Sequence, residues 1–366
     1  MSEPKQRFLP IDVLRGLVMV LMSIDHASEN FNRGRIMGDS IFFWKPGSPL
    51  PMDQFLTRWM THLCAPTFVF LAGTSLAISA ARRQNADKHI AIRGLLLIVF
   101  EFGWMSWVMV GPGNFLGQVL WAIGSSLLFM IPLRRLGDRA LLAFGVGWLL
   151  LGEVFVGLAM ALPVSLQLPR AFLVTGGFLY DGRVIAAYPT FSWLSIMAIG
   201  WVFGRRLLAW RDEGIDVAQR AAKVLFVAGA IGIALFVVLR GVDGYGNMML
   251  HREDSSLVQW LHVSKYPPSI TFACLELGIM ATLLAVFFRY RIEGGPLLVI
   301  GQTALFFYLI HIHAMHLVAV VFGIKSQLGL VSAYVGGLAI VVALYPLCLY
   351  YGRFKRANPR SLAQYV

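Results

Sequence analysis

The sequence predicts an all-α fold: a polytopic membrane helical bundle of about ten transmembrane helices, with both termini cytoplasmic. Three observations predict it. First, the 366 residues are 58% hydrophobic and only 14% charged, with a mean hydropathy of +0.70, a composition that ordinary soluble domains do not have. Second, apolar runs of spanning length recur near 9–27, 59–81, 94–110, 115–133, 140–162, 190–209, 222–240, 268–288, 296–322 and 329–351. Third, basic residues alternate in number between successive connections. With the N-terminus inside, the inner segments hold twenty, among them Lys5 and Arg7, Arg82 and Arg83, Arg134 and Arg135, and Arg205 and Arg206, against ten in the outer segments. That is the positive-inside pattern, and it favours an even number of spans. The net charge of +12 therefore encodes topology and is not read as nucleic-acid binding. Residues 1–366 read as a single transmembrane domain without tandem repeats or a separate soluble unit.

The first run carries Asp12, Arg15, Asp25 and His26. Arg15 and His26 are eleven positions apart, close to three helical turns, so they share a face about 16 Å apart along the axis. Asp12 is three residues before Arg15, within ion-pair reach. Ionisable groups in a membrane usually face the protein interior or a wet cavity. No small-residue cleavage site follows this run, and it reads as a retained span.

The second run contains His62 near its outer end. Pro66, four residues on, removes the hydrogen bond that the His62 carbonyl would otherwise accept. Gly73, Ala77 and Ala81 have the small-residue spacing that lets helices approach closely. Glu101, Glu153 and Glu276 lie in or at the edge of spans three, five and eight. Long outer segments follow the first, fifth and seventh runs, rich in aromatics, carboxylates, amides and arginines that suit a polar acceptor. Lys265-Tyr266-Pro267-Pro268-Ser269 makes a stiff cationic lead-in to the eighth run. The ninth carries His311, His313 and His316. Their spacing is poor for a metal, because 311 and 313 lie nearly opposite on a helix; no metal is expected, and a hydrogen-bonded histidine beside a site fits better. Cys64, Cys274 and Cys348 fall in apolar segments and read as buried free thiols.

The assigned topology brings His26, His62 and the ninth-run histidines to the outer half of the membrane. Histidine suits general-base work because its unperturbed pKa, about 6.5, lies near working pH. One such residue could deprotonate an acceptor hydroxyl or amine, or carry an acyl group covalently. Asp25 precedes His26 directly and points elsewhere on the helix, so it is a less obvious partner. There is no Walker loop and no dinucleotide fingerprint.

The stretches IDVLRGLVMVLMSIDHAS, THLCAPTFVFLAGTS, YPTFSWLSIMAIGWVFGRR, KYPPS and IGQTALFFYLIHIH resemble bacterial relatives of heparan-α-glucosaminide N-acetyltransferase, in the expected order over most of the chain. The Arg15–His26 spacing also resembles the wider superfamily of membrane acyltransferases that modify surface polysaccharides. The resemblance implies a multi-pass enzyme of the inner (plasma) membrane, moving an acetyl group from cytoplasmic acetyl-CoA to a sugar or glycan acceptor on the far side. The lysosomal enzyme of the family has asparagine where His26 stands, aspartate where His62 stands, and its catalytic histidine in the following loop. Here that loop has none, so His26 takes the role from the wider pattern, with His62 and Asp25 beside it as catalytic candidates. Arg15, Asp12, Arg205 and Arg206 are candidates for the donor site. Lys265, Tyr266, Glu276, His311 and His313 are candidates for substrate binding. Acceptor identity, N- or O-linkage and a homodimeric assembly stay open. The rival reading is a transporter or channel for a polar solute, with Glu101, Glu276 and the histidines as its relay.

Overall fold

A computed structural model describes residues 7–365; Lys5, counted above among the inner basic residues, lies outside the described residues. Eleven principal helices follow one another: α1 Leu9–Phe31, α2 Met52–Ala80, α3 Ala86–Val110, α4 Val119–Leu133, α5 Asp138–Met160, α6 Thr190–Asp212, α7 Val217–Val242, α8 Ile270–Arg289, α9 Pro296–Gln302, α10 Ala304–Val321 and α11 Val331–Ala357. Seven of them (α2, α3, α5, α7, α8, α10 and α11) are long and apolar enough to cross a membrane. The chain is thus an all-α, multi-pass membrane protein. Three of the ten apolar runs fall on helices outside that seven, for visible reasons. α1 carries Asp12, Arg15, Asp25 and Glu29, α6 ends in Arg205, Arg206, Arg211 and Asp212, and α4 has only 15 residues.

α1 is the hub. Sixteen of its 23 residues are buried, and it packs against α2, α8, α9, α10 and α11. α5, by contrast, buries only Leu141, Gly145, Gly152 and Ala159 and turns the rest of its apolar surface outward, as a lipid-facing helix must. Close packing uses small residues. A Cβ on Gly16 would lie 1.9 Å from the Leu297 carbonyl oxygen, and one on Gly301 1.8 Å from that of Asp12, so α1 and α9 touch backbone to backbone. Gly73 meets the Met197 carbonyl and Gly200 the Phe70 carbonyl in the same way, locking α2 onto α6.

The ninth apolar run is not one helix. It breaks at Thr303 (φ −118°, ψ 24°), leaving α9 against α1 and α10 beyond it. α2 also departs from regularity: it tightens into a 3₁₀ turn over Thr61–Leu63, where Pro66 leaves the His62 carbonyl without its helical donor.

The helical expectation omits a small sheet built from the connections that precede α4 and α6. β1 Phe115–Gly117 runs parallel to β3 Val184–Ala186, and β2 Gly177–Leu179 pairs antiparallel with β3. The Gly117 carbonyl also accepts from the Ala187 and Tyr188 N–H groups. This fixes Gln118 and Tyr188 at the edge of the central cavity. Beyond it, the fully buried Arg240 donates to the carbonyls of Leu250, Trp260, Gln259 and His262 and to Asn247 and Asp243. One side chain thereby folds the whole 243–262 connection over the bundle.

Candidate active site

A cavity of about 630 Å³, counting its open mouth, lies between α1 and α2. Its α1 wall is Met22, Asp25, His26 and Glu29, and its α2 wall is Arg58, Thr61, Cys64, Ala65 and Phe68. Each set is spaced by three or four residues, which is one face of a helix. Met109, Gln118, Val119, Tyr188, Arg35, Lys265, Tyr266 and Tyr308 close the remaining sides.

The polar end is built on Arg58. Its Nη1 donates to both oxygens of Asp25 (2.8 and 2.7 Å), and its Nε and Nη2 donate to Asp39 Oδ2. Arg35 Nη1 donates to Asp25 Oδ1 at 3.0 Å and to the Asp25 carbonyl at 2.6 Å. His62 Nε2–H donates to Asp39 Oδ1 at 3.0 Å. Burial alone would raise the Asp39 carboxyl, but Arg58 and His62 outweigh it and hold the group well below the usual carboxylate range. The Lys265 backbone N–H donates to the Asp39 carbonyl (2.7 Å). That bond ties the loop after α1 to the lead-in of α8, which Ser269 caps by accepting from the Phe272 N–H. Lys265 is 4% exposed, and its ammonium lies 5.3 Å from the Tyr266 ring centroid, with no ion pair among the described residues. Burial and the adjoining Tyr266 hydroxyl push the Tyr188 phenol well above its ordinary value.

His26 is 7% exposed and lines the cavity. Its Nδ1 is 2.8 Å from Nε2 of His311 on α10, and the Nδ1 of His311 lies 2.9 Å from each of the carbonyls of Phe307 and Tyr308. Arg15 sits three turns down the same face of α1. It is bound to Asp12 Oδ1 at 2.5 Å, to Ser75 Oγ at 2.8 Å and to the Gly301 carbonyl at 3.5 Å.

The sequence candidates therefore separate. His26, Asp25, Lys265 and Tyr266 line the cavity, and His311 stands directly behind His26. Asp25 has both oxygens engaged by arginines and does not touch the His26 ring nitrogens among the hydrogen bonds described. His62 is buried behind Asp39, not on the cavity wall. Glu276 is buried, within electrostatic reach of Lys265, and its Oε1 has no hydrogen-bond partner among the described residues. His313 stacks on Trp104, centroids 4.2 Å apart, on the other side of α10, so it is not gathered with His311. Arg205 and Arg206 are paired with Asp138 at 3.1 and 3.6 Å, apart from the Asp12–Arg15–Ser75 contacts. Glu101 accepts from the Trp121 N–H at the start of α4 (2.8 Å), and Glu153 from the N–H groups of Gly246 and Met248 (2.7 and 3.2 Å). Both contacts fasten helix or loop ends.

Sequence reasoning weighs Arg58 only as an outer charge and assigns no role to Glu29, Gln118 or Tyr308. The 58-61-65-68 spacing against 22-25-26-29 is the signal that would have found the α1–α2 wall. No signal in one sequence joins Gln118 or Tyr308 to it.

A multi-pass helical membrane protein with a buried histidine facing a polar cavity defines the class. A family model described as heparan-alpha-glucosaminide N-acetyltransferase, catalytic, matches residues 7–240. The chain belongs to that family, which puts it among membrane acetyltransferases. A search of curated proteins found no match.

Proposed function

We propose that the protein transfers an acetyl group from cytoplasmic acetyl-CoA to a sugar or glycan acceptor on the extracytoplasmic side of the inner membrane. The observation that carries this reading is the α1 face that runs from Arg15 to His26, with the cavity at its outer end. The α1 stripe Arg15, Met22, His26 faces the α2 stripe Ser75, Phe68, Ala65, Arg58. Polar groups stand at both ends and apolar side chains between them, the order needed by a donor held at Arg15 and reacting at His26. In this reading Arg15, steadied by Asp12, marks the donor end, and Arg205 and Arg206 add cationic surface for the CoA phosphates. The acceptor's O–H or N–H lies at His26. As the acceptor oxygen or nitrogen bonds to the thioester carbon, His26 takes the proton. The C–S bond then breaks, and the departing CoA sulfur receives a proton. Lys265 and Tyr266 orient the acceptor. The same reading has ten spans with both termini in the cytoplasm.

The test is turnover and donor binding by purified protein in detergent, with glucosamine as the first acceptor probe. His26→Ala should lower turnover by about 10²-fold or more and leave acetyl-CoA affinity nearly intact. Labelling of the protein by acetyl-CoA alone would instead indicate an acyl-histidine intermediate. Wild-type protein that neither binds nor turns over acetyl-CoA, yet moves a solute across liposomes, would overturn the proposal.

A further inference from the structure

The two nitrogens of His311 are not equivalent. Nδ1 lies 2.9 Å from the Phe307 carbonyl and 2.9 Å from the Tyr308 carbonyl. A carbonyl can only accept, so Nδ1 carries a proton. A neutral imidazole has one N–H, which leaves Nε2 of His311 as a bare acceptor. That atom is 2.8 Å from His26 Nδ1, and the contact needs one proton, which His26 must supply. His26 is then the Nδ1–H form, and its Nε2 lone pair is left for the cavity.

We infer that His311 is a positioning residue that sets the tautomer of His26 and so presents a basic Nε2 to the acceptor. The chain is carbonyl, His311 Nδ1–H, His311 Nε2, His26 Nδ1–H, His26 Nε2. It has the logic of a hydrolase triad, in which a buried group holds the imidazole in one tautomer and steadies the imidazolium that forms. Here the third member is a neutral histidine anchored on helix carbonyls. Asp25 does not serve, because Arg58 and Arg35 occupy its carboxylate. A neutral partner also suits the location: His311 is fully buried, and an anion there would carry a large desolvation cost. When Nε2 of His26 takes the acceptor's proton, its Nδ1–H stays directed at His311 Nε2. The positive charge is then shared along a chain that ends on two carbonyl dipoles.

This inference rests on the acyltransferase reading for its kinetic consequence but not for its structural one. The structural test is long-range ¹H–¹⁵N correlation on the full-length protein labelled with ¹⁵N-histidine, in detergent at neutral pH, with His26→Ala and His311→Gln used to assign the signals. Both rings should be in the Nδ1–H form. A His26 ring protonated at Nε2 in the wild type would overturn the inference whatever the enzyme does. The kinetic test compares His311→Leu with His311→Gln. Glutamine keeps a carbonyl acceptor for His26 Nδ1–H, whereas leucine offers none. His311→Leu should lose on the order of 10²- to 10⁴-fold in kcat, the range for a base (~10²) up to one held in the wrong tautomer (~10⁴), with little change in the KM for acetyl-CoA. His311→Gln should recover most of that. Folded His311→Leu with wild-type kcat, or equal loss of kcat and affinity in both variants, would overturn it. Absence of turnover in the wild type would count against the acyltransferase reading and leave the tautomer measurement standing.

Discussion

Arg58 shows how much one side chain can hold. It is 6% exposed and neutralises Asp25 and Asp39 together, while Asp39 in turn fixes His62 and, through its carbonyl, the Lys265 loop. Removing it takes the shared guanidinium from two buried carboxylates, leaving Asp25 to Arg35 and Asp39 to His62. We expect Arg58→Met to cost about 3–5 kcal/mol, the scale for breaking a buried pair, read as thermal unfolding in detergent. Lysine should rescue little, because a single ammonium cannot span both carboxylates as the planar fork does. Arg58→Met with an unchanged midpoint would mean that the network contributes nothing to the fold. Acid should act on the same network. The Asp39 carboxyl is depressed in the folded state, so its stabilisation is present above the unfolded value of about 3.9 and is lost as pH falls toward the folded one. The thermal midpoint should hold steady above about pH 5 and drop below about pH 4. Asp39→Asn should be less stable at neutral pH and respond less to acid. A variant as acid-sensitive as the wild type would remove Asp39 from that account.

At the scale of elements, the α2–α6 contact decides whether the α2 wall of the cavity stays in place. A Cβ on Gly200 would lie 2.1 Å from the Phe70 carbonyl oxygen, and one on Gly204 2.5 Å from that of Thr74. The obstacle is backbone, so the helices must separate. Gly200→Ala should destabilise by roughly 1–3 kcal/mol, the usual cost of overpacking. Gly147→Ala on α5 meets nothing within 4 Å and should be neutral or slightly stabilising, since alanine is the better helix former by up to about 1 kcal/mol. Equal midpoints for the two variants would refute the close-contact account. The small-residue stripe of α2 is legible in sequence at Gly73 and Ala77. Its partners Gly200 and Gly204 are not, because periodicity tells which face is small but not which helix it meets. The same limit applies to the site. Arg15 and His26 on one face follow from spacing alone, whereas the His26–His311 contact joins residues 285 positions apart. The break at Thr303 is hidden because the apolar run continues through it, and three-residue strands are too short to give an alternating pattern.

At the scale of the whole molecule, the open quantity is how many helices cross. The seven long apolar helices alone would make the count odd and put the termini on opposite sides. They would also put residues 111–118 and 163–189 on opposite sides, since only α5 would separate them. Yet β1 and β3 pair across these two connections, Phe115 with Val184 and Gly117 with Ala186, and so must lie on one face. An even number of crossings is therefore needed between them, and the ten-span reading supplies it by counting α4 as a span despite its 15 residues, about 22 Å of helix. With α1 and α6 added, the count returns to ten. Single cysteines in a background lacking Cys64, Cys274 and Cys348 can test this on intact cells with a membrane-impermeant maleimide. Asp181, Asp254 and Lys325 are exposed on connections expected outside; Lys88, in the first turn of α3, and Glu213 and Glu293, on connections, are exposed at positions expected inside. The decisive pair is Asp181 and Glu213, which flank α6. Ten spans require Asp181→Cys to be labelled and Glu213→Cys to be protected until the membrane is opened. Seven spans put both on the same side, so matching behaviour of the two positions would exclude the ten-span arrangement and, with it, the assignment of Arg15 to the cytoplasmic end and His26 to the outer one.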